Sequence, residues 1–371
     1  MGDLRKYRIL IGGGGTGGHV FPAIAIADAI KAAHPKTEFL FVGALGRLEM
    51  EKVPEAGYPI EGLPVAGFQR RMTLKNVTFF YKLAASLLIS RKIIRRFKPH
   101  MAVGVGGYAS GPILKAAARK GVPILLQEQN SCAGVTNRML ARSAKAICVA
   151  YENMERYFPG GHIVVTGNPI RQNLLNKAGN REDDLKEFGL EEGKKTCLVV
   201  GGSLGARTIN LSLAGGLKKL DREDIQVLWQ CGKLYLEEVE QAVAQSGLKQ
   251  IRVMPFISKM ECAYNVADVI VSRAGAITIS ELCVIGKPAI LVPSPNVAED
   301  HQTRNAEALA DRNAAVMIHD RDAREGLVET MIKLVKDKRR QKELSDNIKR
   351  MAIPDASQRI AREVLKIMES K

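Results

Sequence analysis

Short apolar runs that end in glycine alternate with helix-periodic stretches along most of the chain, and this alternation predicts βα units wound around parallel sheets. YRILIGGGG is followed by FPAIAIADAIKAA, and MAVGVGG by SGPILKAAARKG. VPILLQEQN, AKAICVA and IVVTGNP supply further strands. Over residues 166–195 the pattern gives way to a polar stretch, TGNPIRQNLLNKAGNREDDLKEFGLEEGKK, with the character of an interdomain connection. A second series opens with TCLVVGGSLGARTINLSL and runs through IQVLWQCG, IRVMPFI, ADVIVSRAGAITISELCVIGKP and AILVPSP. The last segment, ASQRIAREVLKIMES, has the spacing of an amphipathic helix. The expectation is an α/β chain of two Rossmann-like, doubly wound domains facing each other across a cleft. They comprise residues 1–167 and 168–350, with a closing helix in 351–371 that packs back on the first.

A length of 371 residues exceeds the usual single domain and suits two full cores. With 46% hydrophobic and 25% charged residues, the composition excludes long disordered regions. Six cysteines are scattered singly, without metal-ligand spacing, and read as reduced core thiols. The N-terminus passes from a charged stub straight into a strand, and no run reaches the ~18 apolar residues of a spanning helix. The expected location is therefore the cytoplasm, with a membrane touched only from outside. Net charge is +16 and uneven: residues 1–165 hold 23 Lys and Arg against 10 Asp and Glu, leaving 32 against 29 for the rest. So basic a first half favours an anionic partner, which charge alone cannot name.

Chemistry concentrates in the turns that follow strands. Gly12 to Gly18 form a side-chain-free turn between strand and helix, a seat where phosphate or pyranose oxygens can approach backbone N–H groups. It ends on His19, which can take a proton near neutral pH. Gly201-Gly202-Ser203-Leu204-Gly205 repeats the arrangement, with N–H groups and the Ser203 hydroxyl suited to a pyrophosphate. The same string satisfies GxSxG, so a hydrolase with Ser203 as nucleophile and His301 as base is a rival reading. A third glycine turn, Arg273 to Glu281, places Glu281 where it can accept both ribose hydroxyls, while Thr278-x-x-Glu281 equally forms a capping box. Asp300 to Asn305 (DHQTRN) open a helix with His301, a ring donor, and Gln302 and Asn305, amides that suit sugar hydroxyls because they both donate and accept. Two polar loops after strands, one with Tyr108 and one with Glu128 and Asn130, add a second candidate base in Glu128.

Residues 68–98 contain nine Lys and Arg and no acid, interleaved with Leu74, Phe79, Phe80, Tyr81, Leu83, Leu87 and Leu88. An apolar face ringed by cations predicts a helix lying on an anionic bilayer. Nucleic acid is not expected, because no binding motif accompanies the charge.

The ordered strings GGGTGGHVFPA, GVGGYASGP, QEQNSCAGVTN, TGNPIR, GGSLGARTIN, SRAGAITISE and EDHQTRNA resemble the MurG family of glycosyltransferases over nearly the whole chain. The resemblance implies GT-B architecture and inverting transfer of N-acetylglucosamine from UDP-N-acetylglucosamine to the C4 hydroxyl of the muramoyl sugar of lipid I, forming lipid II for peptidoglycan. It implies work on the cytoplasmic side of the inner membrane as a peripheral protein, with other cell-wall synthesis proteins as further candidate partners. It assigns the donor mainly to the second domain: Ser203 at the phosphates, Ile257 beside uracil, Ala276, Ile277, Thr278, Ile279, Ser280 and Glu281 around diphosphate and ribose, and His301, Gln302 and Asn305 on the sugar. Asn210 falls within the matched GGSLGARTIN string. Thr16, Gly17, Gly18, Tyr108, Asn130 and Arg171 line the facing side, with His19 favoured over Glu128 for activating the acceptor. No metal or cofactor is expected, since no DxD-like pair stands in a suitable loop and N–H dipoles with Arg171 can meet the diphosphate charge.

Overall fold

The computed structural model describes residues 6–65, 75–171, 174, 179–202, 204–297 and 300–370, with side chains given from Tyr81 onward in the helix that begins at Lys75. The chain divides into two compact units, Met1–Arg171 with Pro354–Lys371, and Gln172–Ile353. These bounds differ by a few residues from those expected at 167/168 and 350/351.

Unit 1 runs β1 (Arg8–Gly12), α1 (Gly17–Ala33), β2 (Glu38–Ala44), α2 (Glu49–Glu55), β3 (Ile60–Leu63), α3 (Lys75–Phe97), β4 (Met101–Gly104), α4 (Ser110–Arg119), β5 (Ile124–Glu128), α5 (Val135–Leu140), β6 (Ala144–Val149) and β7 (Ile163–Val165). Unit 2 runs α6 (Arg181–Glu187), β8 (Lys195–Val200), α7 (Arg207–Arg222), β9 (Ile225–Gln230), α8 (Leu236–Ser246), β10 (Ile251–Met254), α9 (Met260–Val266), β11 (Val269–Ser272), α10 (Ala276–Ile285), β12 (Ala289–Leu291), α11 (His301–Ala310), β13 (Val316–Met317), α12 (Ala323–Lys336) and α13 (Lys338–Lys349). The final helix, α14 (Ala356–Glu369), belongs to unit 1.

Every strand pair is parallel, in the orders β3-β2-β1-β4-β5-β6-β7 and β10-β9-β8-β11-β12-β13. Both sheets reverse direction beside their first strand, between β1 and β4 and between β8 and β11, and ligands of such sheets bind at that switch point, beyond the carboxyl ends of the strands. The strands read as continuous apolar runs because helices cover both faces: β4 and β5 are buried throughout. Strands β2, β3 and β13 are absent from the expected set, although in β2 the apolar run FLFV ends at Gly43. Each nonetheless pairs in parallel with a neighbour, where tertiary context outweighs local pattern.

Helix α14 buries Ile360, Ala361, Val364 and Met368, spaced to fall on one face, in the cluster that holds Ile26 and Ile30 of α1. Burying each large aliphatic contributes about 1.5–3 kcal/mol, which fastens the end of the chain to its beginning.

Candidate functional site

Unit 1 presents its glycine turn at the β1/β4 switch point. Thr16 caps α1 with extended backbone (φ −144°, ψ 162°), and Gly17 and Gly18 are the first helical residues, so the N–H groups of this turn lack helical partners. His19 follows, half-buried, with Nδ1 3.2 Å from the Thr16 hydroxyl. When Nδ1–H donates to that hydroxyl, Nε2 carries the lone pair a base needs. The ring lies against the turn after β4: a Cβ on Gly106 would stand 3.0 Å from both Nε2 and Cδ2 of His19. Next to it, a Cβ on Gly107 would fall 2.1 Å from the Gly14 carbonyl oxygen. Both residues have positive φ (+87° and +85°), so glycine there answers backbone conformation and close approach together. Two glycine strings separated by some ninety residues of sequence thus form one wall around the imidazole.

Tyr108, in the same turn, is 59% exposed. Arg171 holds its guanidinium 5.0 Å over the Phe21 ring, and that ring lies 3.2 Å from where a Cβ on Gly17 would be. A cation is thereby fixed beside the first turn of α1.

Glu128 stands at the end of β5 with both oxygens engaged. The Asn130 N–H (3.2 Å) and side-chain amide (3.4 Å) donate to one, the Gly134 N–H (2.9 Å) and the Asn137 amide (2.9 Å) to the other. Burial pushes this carboxyl above the usual range, while the donated bonds oppose the shift. Next to it the Gln127 amide donates to Asn168 (3.1 Å), and the Gln129 amide to Gln127 and to the Val105 carbonyl (2.7 Å). Asn168 returns a bond to the Gln129 carbonyl (3.0 Å). Glu128 and Asn130 are thus members of a bracing network that shapes the loop after β5.

In unit 2 the expected residues separate into two groups. Ala276, Ile277 and Glu281 lie in α10, whose N-cap is Gly275; Thr278 is the third helical residue, so the capping box does not form. Glu281 is 4% exposed and accepts a bond from the Tyr264 hydroxyl (3.1 Å). The Asn305 amide donates to the Ala274 carbonyl (3.3 Å), and Gln302 accepts from the Ser294 N–H (2.9 Å), so α11 braces the turns after β11 and β12. His301 opens α11, half-buried. Arg273 donates to the carbonyls of Val292 (3.1 Å) and Pro293 (3.2 Å) and to Asp320, which also accepts from the Thr208 hydroxyl (2.8 Å). This brace joins the turn after β11 to the first turn of α7, across the switch point.

The second group points inward. The Asn210 amide donates to the Cys231 carbonyl (2.9 Å) and accepts from the Trp229 indole (3.0 Å) at 3% exposure, which makes it a core fastener. Ile257 and Ile279 pack in the core with 2% and 3% exposed. The Ser280 hydroxyl donates to the Ala276 carbonyl (2.9 Å) within its helix. Ser203 lies outside the described residues, as do residues 68–74 of the basic segment and the side chains of Phe79 and Phe80.

Residues 9–149 match the glycosyltransferase family 28 N-terminal domain and residues 196–360 the glycosyltransferase family 28 C-terminal domain. A UDP-N-acetylglucosamine--N-acetylmuramyl-(pentapeptide) pyrophosphoryl-undecaprenol N-acetylglucosamine transferase of Phocaeicola vulgatus is 57% identical over 365 residues, 98% of this chain and 97% of its own. The chain belongs to glycosyltransferase family 28. A relative of the same name from Flavobacterium psychrophilum is 45% identical, over 99% of this chain and all of its own length. The crystal structure of Acinetobacter baumannii MurG superposes with a TM-score of 0.74 at 30% identity, covering 98% of this chain and 100% of that one. S. aureus MnaA in a UDP co-structure shares the fold, with a TM-score of 0.70 at 15% identity. Membership of family 28 replaces the hydrolase reading of GGSLG: the string is the β8–α7 turn of a two-sheet glycosyltransferase.

Glu49 escaped the sequence reading. It is 1% exposed and accepts from the Gly15 N–H (2.9 Å) and the Ala44 N–H (2.8 Å). The Arg273–Asp320–Thr208 brace escaped too. No local signal marks either one, since Glu49 meets Gly15 across 34 residues and Asp320 meets Thr208 across 112.

Proposed function

We propose that this chain is the transferase that moves N-acetylglucosamine from UDP-N-acetylglucosamine to the C4 hydroxyl of the muramoyl sugar of lipid I, giving lipid II and UDP. The observation that carries this reading is full-length similarity to relatives bearing that transferase name. The geometry supports a division of labour. Unit 2 holds the donor, with Glu281 at the ribose, Gln302, Asn305 and His301 at the sugar, and the turn of Ser203 and the start of α10 at the diphosphate. In unit 1 His19 takes the proton from the acceptor hydroxyl as its oxygen attacks C1 from the face opposite UDP. The new C1–O bond forms as the bond to the diphosphate breaks, inverting the anomeric carbon. Negative charge that develops on the leaving UDP meets backbone N–H groups and the Arg171 guanidinium.

His19 suits the role of base better than Glu128. Its ring is held by Thr16 at the mouth of the glycine turn, whereas the Glu128 oxygens already serve four donors. Glu128, Asn130 and Tyr108 are assigned to shaping and lining the acceptor side. Among the described residues no group of three His, Cys, Asp or Glu stands close enough to hold a metal ion, and turnover is expected to persist in EDTA.

The acceptor carries a lipid, and unit 1 has a surface to match. A groove of about 520 Å³ is lined by Leu83, Leu87, Tyr108, Met139, Lys115 and Arg119. Met139 of its lining is exposed, as are Tyr81 and Leu88 of α3 and Val135 of α5, while Ile93 and Ile94 of α3 turn into the core. Lys82, Arg91, Lys92 and Arg95 are exposed along α3 and add to its positive charge. No helix among the described residues is long and apolar enough to cross a membrane. Peripheral binding to the cytoplasmic face follows as the proposed location, and it should strengthen with anionic lipid and weaken with salt. The test of function is incubation of the purified chain with labelled UDP-N-acetylglucosamine and lipid I. Label in a larger lipid product is the expected result, and label confined to the nucleotide sugar contradicts it.

A further inference from the structure

Glu49 is the most deeply buried carboxylate among the described residues, and its placement bears directly on the turn that ends at His19. One oxygen accepts from Ala44 at the end of β2, the other from Gly15 in the glycine turn. The space the side chain fills is cleared by glycine on both sides. A Cβ on Gly14 would lie 2.1 Å from Oε1, and a Cβ on Gly43 2.4 Å from Cγ. Beyond Gly14, the main chain of Gly107 closes the opposite side. Gly14 is therefore held between a carboxylate and a second glycine turn, and Gly15, which Glu49 grips, immediately precedes the Thr16 cap whose hydroxyl touches His19.

Resting on the reading of His19 as the base, we propose that Glu49 is a positioning residue for the reaction: its carboxylate sets the course of Gly14-Gly15 and thereby the start of α1 and the aim of the His19 ring. A carboxylate is required because both oxygens must accept. An amide of the same shape keeps one acceptor and turns an N–H against a backbone N–H.

The test compares Glu49→Gln with wild type in the lipid I assay and follows the imidazole resonances of the folded protein by NMR, His19 being identified by their loss in His19→Ala. Misplacing a reacting group by about 1 Å costs on the order of 100-fold in rate. The expected result is a fall in kcat of about that size with the donor KM within about two-fold of wild type. The His19 resonances move while those of the buried His34 stay in place. Gly43→Ala, which leaves the carboxylate intact but crowds its Cγ, reproduces the effect and answers the question if the Gln variant does not fold. Unchanged His19 resonances in either folded variant overturn the proposal. So does a general shift of all histidines with kcat and donor KM worsening together, which is the mark of a merely structural residue. Full activity of His19→Ala instead removes the base assignment alone, and displacement of the His19 resonance in Glu49→Gln still decides the role of Glu49.

Discussion

The two units share one strand order and build their switch points in opposite ways. At the switch point of unit 1, chain is packed against chain: Gly106 and Gly107 press on His19 and Gly14, and Glu49 presses from the other side. At that of unit 2, polar side chains span the gaps, with Arg273, Asp320 and Thr208 joining three loops and Asn305 holding the turn after β11. A wall of main chain can seat a single titratable ring with little freedom to move, which suits proton transfer. A frame of braced loops presents helix N-termini and amides to a large polar ligand, which suits binding. Unit 1 should therefore govern kcat, and unit 2 the affinity for the donor.

His19→Ala provides the largest break in this contrast: loss of a positioned base should cost about 10³-fold in kcat, or about 4 kcal/mol of transition-state stabilisation, with the donor KM little changed. A large change in donor KM would place the histidine in the binding frame instead. Ile360→Ala comes next, and acts on stability. Removing a large aliphatic from the core where α14 meets α1 should cost about 2–5 kcal/mol, read as an earlier unfolding transition of unit 1 by calorimetry. Coincident loss in unit 2 would show that α14 belongs to both cores. Glu281→Gln should raise the donor KM by about 10- to 100-fold, the worth of a hydrogen bond to a charged group, at nearly unchanged kcat.

The smallest effect concerns Lys287, whose amine donates to the Asn265 (2.8 Å) and Ala267 (2.6 Å) carbonyls. Burial lowers its pKa to about 8 from the ordinary 10.5. Between those values the unfolded chain binds more protons than the folded one, so this lysine makes stability rise with pH across that window. Urea midpoints measured from pH 8 to pH 10 should climb more steeply for wild type than for Lys287→Met, and parallel slopes would deny the shift.

Much of this arrangement was legible in the sequence. Glycine-terminated apolar runs marked β1, β4, β8 and β11, the four strands that form both switch points, because strands buried on both faces must be apolar throughout and the turns beyond them must admit a ligand. The spacing in ASQRIAREVLKIMES marked α14. Strand β3 was not legible, since IEGL is short, mixed in polarity and only partly buried, whereas the run FLFV of β2, ending at Gly43, carried the same signal as β1 and was passed over. Among site residues, the turn of His19 declared itself locally. Asn210 did not, since nothing in its own neighbourhood tells that Trp229 and Cys231 would take both ends of its amide. Glu49 is similar, one of three acids in a short helix, set apart only by a fold that brings Gly15 and Ala44 to it.

Calorimetric titration of UDP-N-acetylglucosamine into His19→Ala and Glu281→Gln, alongside turnover by each, tests the division of labour most directly. The histidine variant should bind donor as wild type does and turn over about 10³-fold more slowly, while the Glu281 variant should bind weakly and, at saturating donor, turn over at nearly the wild-type rate. Loss of donor binding in His19→Ala with binding intact in Glu281→Gln would contradict it.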